Sequence, residues 1–188
     1  MRIKSIIFVQ QITKTAFNMV RSILLLGLAL LQATAINAVI IPEGLADGIY
    51  TIPFDSVTGE ATGEPVLAAR TINSRIDRRQ NLPQQVQTRC GGNTNINISE
   101  FQTAKAQLEE ACDKGTVYPA NTAVIYTSGS TVAYFCTYNA RSRCYRNEYE
   151  QAMLQVVARC GSGKTGEVVA SSINRAYGGA TVGFNICQ

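Results

Sequence analysis

Two stretches of the chain carry apolar residues at the three- and four-residue spacing of an amphipathic helix. The first stripe contains Phe101, Ala104, Leu108, Ala111 and Cys112. The second contains Tyr149, Met153, Val156, Val157 and Cys160. The first predicts a helix over residues 100–113, capped by Ser99 and Gln102. The second predicts a helix capped by Asn147 and Glu150 that ends before Gly161.

Runs of β-branched and aromatic residues around the helices predict strands. Residues 123–126 and 131–138 flank the turn signal Thr127-Ser-Gly-Ser130 and predict a hairpin. Residues 167–173 and 180–187 flank Tyr177-Gly-Gly179 and predict a second one. With a short strand near residues 89–90, the order becomes β-α-β-β-α-β-β. We therefore expect an α+β domain with two helices packed on one face of an antiparallel sheet.

The N-terminal part has the pattern of a secretory signal peptide. Met19-Val-Arg21 precedes an apolar run over residues 23–31, and Ala33-Thr-Ala35 offers small residues for cleavage. We expect a signal peptide over residues 1–35, with cleavage after Ala35 or, as a second choice, after Ala38. Met19 begins a better signal than Met1. A membrane anchor would place three polar residues in the bilayer, namely Gln32, Thr34 and Asn37.

Residues 36–79 lack cysteine and are rich in turn residues, so we expect a flexible leader that buries too little apolar surface to order itself. The leader ends in Arg78-Arg79, a dibasic pair typical of a kexin-type processing protease. Cleavage there makes 36–79 a propeptide and leaves a mature domain over residues 80–188. That domain would begin at Gln80 and be secreted.

All six cysteines follow residue 89, which in a secreted chain indicates three disulfides. Six cysteines allow fifteen connectivities, and the sequence does not choose among them. From the predicted elements we expect the pairs Cys112–Cys160, Cys136–Cys144 and Cys90–Cys187.

Composition excludes several classes of function. The chain has no histidine, which removes Ser-His-Asp and Cys-His catalysis and histidine metal sites. Residues 80–188 carry nine basic and seven acidic side chains, too weak an excess for a nucleic-acid binder. We expect no catalytic residue, no metal, no cofactor and no nucleic-acid partner.

The layout of a leader, a dibasic site and a cysteine-rich domain resembles that of fungal small secreted proteins, with Asp47-Gly-Ile-Tyr-Thr-Ile-Pro-Phe-Asp55 in the leader. The helix ending at Cys112, the strand 132–134, the helix ending at 159–161 and the last strand closing at Cys187 resemble the α/β sandwich of the virally encoded killer toxins of smut fungi. The resemblance implies a fungal effector or killer-toxin-like factor. No residue matches the toxins' functional lysine, so a toxic mechanism is not implied.

Two short motifs need separate interpretation. Gly161-Ser-Gly-Lys-Thr165 imitates a phosphate-binding loop, but Ala158 stands where that motif needs glycine and a helix precedes it. We expect a turn from helix to strand with Gly161 at the helix end. Asn97-Ile-Ser99 is an N-glycosylation sequon, so we expect Asn97 to be exposed and the protein to be a glycoprotein.

The densest basic and aromatic cluster is a candidate partner surface. It comprises Arg141, Arg143, Arg146, Tyr138 and Tyr145. Such a patch suits an acidic extracellular or host target, whether a protein, a lipid head group or a glycan. A solvated loop is the plainer interpretation of the same residues.

Three functions remain open. The first is a secreted, non-enzymatic interaction protein that acts on other cells. The second is a small hydrolase of glycans or nucleic acid, which would need paired carboxylates in a deep pocket. The pairs Glu109-Glu110 and Glu148 with Glu150 are expected to be surface charge instead. The third is a cell-wall carbohydrate-binding module, which would need exposed tyrosines in a flat row.

Overall fold

An antiparallel sheet of seven strands lies at the centre of the residues that this computed structural model describes, 38–68 and 81–188. Along the chain the strands are β1 (Val39–Ile40), β2 (Gly48–Pro53), β3 (Val66–Leu67), β4 (Gln87–Asn95), β5 (Val117–Tyr118), β6 (Thr122–Ser128), β7 (Thr131–Thr137), β8 (Ser142–Arg143), β9 (Lys164–Ala170), β10 (Arg175–Thr181) and β11 (Asn185–Ile186). The helices are α1 (Ile98–Asp113) and α2 (Arg146–Cys160). The central sheet has the order β3-β2-β6-β7-β10-β9-β4, and two-stranded ladders join β1 to β11 and β5 to β8.

Both helices pack on the same face of this sheet. Apolar side chains of the two helices form one core with the sheet, in which Leu108, Phe135 and Tyr149 are fully buried. Helix α1 lies against β6 and β7, and α2 lies against β4, β9 and β10. The predicted fold class, two helices on one face of an antiparallel sheet with three disulfides, is confirmed.

The first helix begins at a different cap from the predicted one. The side-chain oxygen of Asn97 accepts hydrogen bonds from the backbone N–H groups of Ser99 and Glu100. Its Nδ2 donates to Glu100 Oε1 at 2.9 Å. The predicted pair of Ser99 and Gln102 is wrong, because Asn97 already satisfies the first free amides of the helix.

The second helix has no side-chain cap. Tyr145 occupies the cap position and makes no capping hydrogen bond through its side chain. Asn147, predicted to cap this helix, lies inside its first turn and donates to Asn81 Oδ1 at 2.5 Å. That prediction was wrong. The side chain joins α2 to the segment before β4.

The first predicted hairpin is confirmed, since β6 and β7 pair antiparallel over their whole length. The turn of the second predicted hairpin was expected at residues 177–179, and this prediction is wrong. The chain reverses earlier, in the short 3-10 turn between β9 and β10, and both glycines lie inside β10. A Cβ on Gly178 would stand 2.2 Å from the ring of Tyr134, and one on Gly179 would stand 2.5 Å from the ring of Phe101. These glycines make room for aromatic rings.

Residues 38–68 of the leader belong to the fold, so the expectation of a flexible leader is wrong for this part. Strand β2 pairs antiparallel with β6, from Gly48 opposite Thr127 to Pro53 opposite Thr122. Strand β1 pairs with β11 near the end of the chain. The leader has too few apolar residues for a core of its own, but it adds strands to a core that later residues supply.

The face of the sheet opposite the helices has its own core, to which the leader contributes. Ile41 and Ile52 are buried there with Ile125, Val132 and Ile186. The sheet is therefore covered on both faces, by helices on one side and by extended chain on the other.

All six cysteines form disulfides, but the three predicted pairings are wrong. The bridges are Cys90–Cys160, Cys112–Cys144 and Cys136–Cys187. Each helix packs over different strands, so the last residue of α2 meets β4 and not the end of α1. Cys136 belongs to the core on the face away from the helices, where it meets the C-terminal segment.

The predicted signal peptide (1–35), the dibasic pair Arg78-Arg79 and Gln80 lie outside the described residues. Within the described part of the chain, no helix combines the length and the apolar character needed to cross a bilayer.

Candidate functional site

An apolar groove opens between the start of α1 and the end of α2. Its cavity volume is about 80 Å³. Its lining is Ile96, Ile98, Phe101, Gln102, Met153, Val156, Val157, Ser162, Gly163, Lys164 and Gly179. The lining is mainly apolar and comes from both helices, the loops beside them and the sheet below.

A backbone hydrogen bond joins the two loops beside the groove. The loop before α1 is tied to the loop after α2 by a hydrogen bond from the N–H of Ile96 to the carbonyl of Gly163, at 2.9 Å. Gly161 ends α2 with φ 100°, and residues 161–163 lead directly into β9. The predicted turn at the false phosphate loop is therefore confirmed.

Aliphatic side chains at the rim of this groove face solvent. Ile98 is 55% exposed and Val157 is 50% exposed. Leu154, one turn earlier on α2 and outside the groove lining, is 70% exposed. Val157 was predicted to lie on the buried stripe, and that is wrong, because Met153 and Val156 already cover the sheet side of the helix. A cluster of exposed aliphatic residues around a groove is typical of a contact surface.

The predicted arginine cluster is only partly available to a partner. Arg141 is exposed in the loop before β8, and Arg143 lies half-buried in β8 itself. Arg146 forms an ion pair from Nη2 to Asp113 Oδ2 at 2.7 Å, which links the start of α2 to the end of α1. Arg146 thus has a structural contact between the helices.

The two tyrosines predicted to accompany these arginines pack elsewhere. The ring of Tyr138 lies 5.7 Å from the ring of Phe54, on the face of the sheet away from the helices. Tyr145 stands 5.0 Å from the guanidinium of Arg175 in a cation–π contact. The structure therefore does not gather the five predicted residues into one aromatic and basic surface.

Glu148 was expected on a solvated face and is instead 1% exposed. Arg175 Nη1 donates to both of its oxygens, at 2.9 and 2.7 Å. The hydroxyl of Tyr177 also donates to it. Burial raises the pKa of Tyr177 well above its ordinary value, so this hydroxyl remains a donor. The cluster fastens α2 to β10.

Glu109 was also predicted to face solvent, and this prediction is wrong too. It is 7% exposed and forms an ion pair with Lys105 Nζ at 2.6 Å, one helical turn earlier. Since its charge is balanced by the nearby lysine, the pair Glu109-Glu110 does not present two free carboxylates.

Glu167 is a buried carboxylate that is not among the predicted site residues. Its Oε2 accepts from the hydroxyl of Tyr134 at 3.2 Å, and its Oε1 lies 3.4 Å from Arg89 Nη1. Burial raises its pKa above the ordinary value, although Arg89 opposes the shift. A glutamate at the start of the apolar run Glu167-Val-Val-Ala170 is the signal that could have identified it.

Glu148 and Glu167 do not form a catalytic pair. Glu148 binds Tyr177, which belongs to the core under the helices, whereas Glu167 binds Tyr134, which belongs to the opposite core. The sheet separates them. The pocket beside Glu167 has a volume of about 30 Å³, far below the roughly 300 Å³ of a small-molecule site. Among the described residues, no cluster of His, Cys, Asp and Glu is arranged to hold a metal.

A wider cleft of about 440 Å³ lies on the leader, between Ile40 and the loop around Gly63. Glu64 is the one titratable residue in its lining, which otherwise consists of aliphatic, proline, glycine and threonine residues. All of the lining residues belong to 38–68, so the cleft is lost if this segment is removed.

The sequon asparagine Asn97 is exposed, as expected. It lies next to Ile98, so a glycan there would stand beside the groove. In the comparisons, no protein-family model, no curated protein and no solved structure matches this chain.

Proposed function

We propose that this chain is a secreted, non-enzymatic interaction protein that binds the cells of another organism through the groove between its helices. The proposal places it among effector or killer-toxin-like factors of fungal type. Three disulfides suit a protein that works outside the cell. The observation that carries the proposal is the apolar groove with half-exposed Ile98 and Val157 at its rim.

The groove favours a protein partner over a glycan. Its lining offers aliphatic and aromatic carbon and few polar groups, as a pocket for an apolar side chain does. Lys164 lines the groove, and its Nζ donates a hydrogen bond to Asn95 Oδ1 at 2.7 Å. This bond positions the ammonium group of Lys164 beside the groove. The expected ligand is a protein segment that presents an aliphatic or aromatic residue beside a carboxylate.

The hydrolase alternative has less support. Glu148 and Glu167 are each bound to an arginine, with the sheet between them, and Glu109 is paired with Lys105. The wall-binding alternative needs exposed tyrosines. All eight tyrosines lie in the described residues, and each of them is buried or half-buried.

The test compares two single changes that add the same charge. Val157→Asp places a carboxylate in the groove, and Val117→Asp places one on an exposed valine of β5, outside the groove lining. Fluorescently labelled, oxidised protein is applied to intact plant and fungal cells and, side by side, to insoluble chitin and glucan. We expect saturable binding to a cell type, lost in Val157→Asp and kept in Val117→Asp.

Two results would contradict the proposal. Undiminished cell binding by Val157→Asp would exclude the groove. Binding to the polysaccharides in place of cells would favour the carbohydrate-binding module. Equal thermal stability of the two variants is the control that separates lost contact from lost fold.

A further inference from the structure

Residues 38–68 have no covalent link to the rest of the chain other than the peptide chain itself, because all cysteines follow residue 89. A cut at the predicted dibasic site would therefore leave them held by non-covalent contacts alone. These contacts are extensive. Strand β2 supplies six residues to the ladder with β6, and β1 supplies two residues to the ladder with β11.

Four side chains of this segment are buried in the core opposite the helices. Val39, Ile41, Ile52 and Phe54 have exposed fractions of 0, 0, 1 and 4%. Phe54 contacts the ring of Tyr138, edge to face. Removal of the segment would expose their partners in that core, so dissociation is opposed by the hydrophobic effect.

Hydrogen bonds outside the ladders hold the residues on either side of β2. The hydroxyl of Thr127 donates to the carbonyl of Ala46 at 2.7 Å. The N–H of Gly129 donates to Asp47 Oδ1 at 2.8 Å. The N–H of Phe54 donates to the carbonyl of Asn121 at 2.9 Å. The segment is thus held at both ends of β2.

Charge also favours retention. The fragment that the cut would release, residues 36–79, carries six acidic and four basic side chains, whereas residues 80–188 carry nine basic and seven acidic. Opposite net charges attract each other across the interface at low ionic strength. Burial, hydrogen bonding and charge all act in the same direction.

We propose that residues 38–68 remain bound after cleavage, as a second chain that completes the sheet of the secreted protein. The leader is then a permanent subunit, and the cleft of about 440 Å³ that it carries belongs to the mature form. The inference depends on the predicted processing site and goes beyond the proposed binding of cells.

The test makes the cut certain. In the full-length chain, secreted from an expression host, Arg78-Arg79 and their neighbours are replaced by the recognition sequence of a site-specific protease. Complete cleavage is confirmed by denaturing electrophoresis. Native mass spectrometry and gel filtration at low micromolar concentration should then show both chains in one particle. Elution of the leader fragment apart from residues 80–188 would overturn the proposal, whether or not the remainder stays folded.

A pair of variants tests the reason for retention. Ile52→Asp puts a charge into the buried contact, and Val66→Asp puts the same charge on a residue of β3 that is 60% exposed. After the cut, Ile52→Asp should release the leader and Val66→Asp should keep it. Equal retention in the two variants would show that the buried face of β2 does not hold the segment.

Discussion

The contribution of the leader to stability can be tested by one deletion of side-chain volume. Ile52→Ala removes three carbon atoms from a side chain that is 1% exposed and lies among Ile125, Val132 and Ile186. Such truncations cost about 2–5 kcal/mol, from lost transfer free energy and from the cavity left behind. Since β2 has only the short β3 on its outer side, the chain can relax in part. We expect about 3 kcal/mol.

The assay is thermal unfolding of an uncleavable form that carries Arg78→Ala and Arg79→Ala. Unfolding is monitored by near-ultraviolet circular dichroism. The described residues, 38–68 and 81–188, come close to the 150-residue size at which 1 kcal/mol shifts Tm by about 2–4 °C. Ile52→Ala should therefore lower Tm by about 6–12 °C.

The matched control is Val66→Ala, on a strand of the same leader where the side chain faces solvent. Substitutions at such surface positions usually change stability by less than about 0.5 kcal/mol. If Ile52→Ala and Val66→Ala unfold at the same temperature as the parent, the leader is not part of the core and the reasoning is refuted.

Three further predictions concern the bridges and the buried charges. Replacing Cys136 and Cys187 together with alanine should cost about 2–5 kcal/mol, seen in urea titrations; an unchanged midpoint would deny the bridge a stabilising role. Glu148→Gln breaks a buried ion pair with Arg175 and should cost about 3–5 kcal/mol in the same titration, whereas a neutral result would mean that the pair is dispensable. The pKa of Glu167 in the folded state is raised above its ordinary 4.5 by burial, so the stability of the protein should fall as the pH rises from 4.5 through this raised pKa. Glu167→Gln should flatten this pH dependence of the unfolding free energy. The same slope in the variant and the parent would contradict the burial of Glu167.

The local parts of the fold are readable from the sequence. Helix α1 and the β6–β7 hairpin follow from the spacing of apolar residues and from the Gly129 turn, because both depend on neighbours close in the chain. The glycines of β10 show where local interpretation fails. Gly178 looks like a turn residue, and only the ring of Tyr134, 44 positions earlier in the sequence numbering, explains it.

The pairing of distant segments was not readable. Cys136 bonds with Cys187 because β7 and the C-terminal segment meet on one face of the sheet, and no local pattern encodes that meeting. The position of β2 was not readable either, because β2 forms a strand by pairing with β6, a distant part of the chain. The prediction of a flexible leader rests on the apolar surface that the leader could bury by itself. Ile52 is instead buried by residues from later in the chain.

The candidate site shows the same division. The helices that form the groove were predicted, but the exposure of Val157 was not, because its spacing also fits the buried stripe. Tyr149, Ala152, Met153 and Val156 occupy the buried side of α2, and Val157 is left at the rim of the groove. The arginines and tyrosines near Cys144 are neighbours in sequence, yet Tyr138 packs against Phe54 and Tyr145 packs against Arg175.

The most direct test of the groove as the contact surface is site-specific photo-cross-linking on intact cells. A photoreactive amino acid replaces Gln102, which is exposed and lines the groove, or Gln85, which is exposed and does not line it. Groove binding predicts a discrete cross-linked product from position 102 and none from position 85. Equal cross-linking from both positions, or cross-linking from position 85 alone, would contradict it.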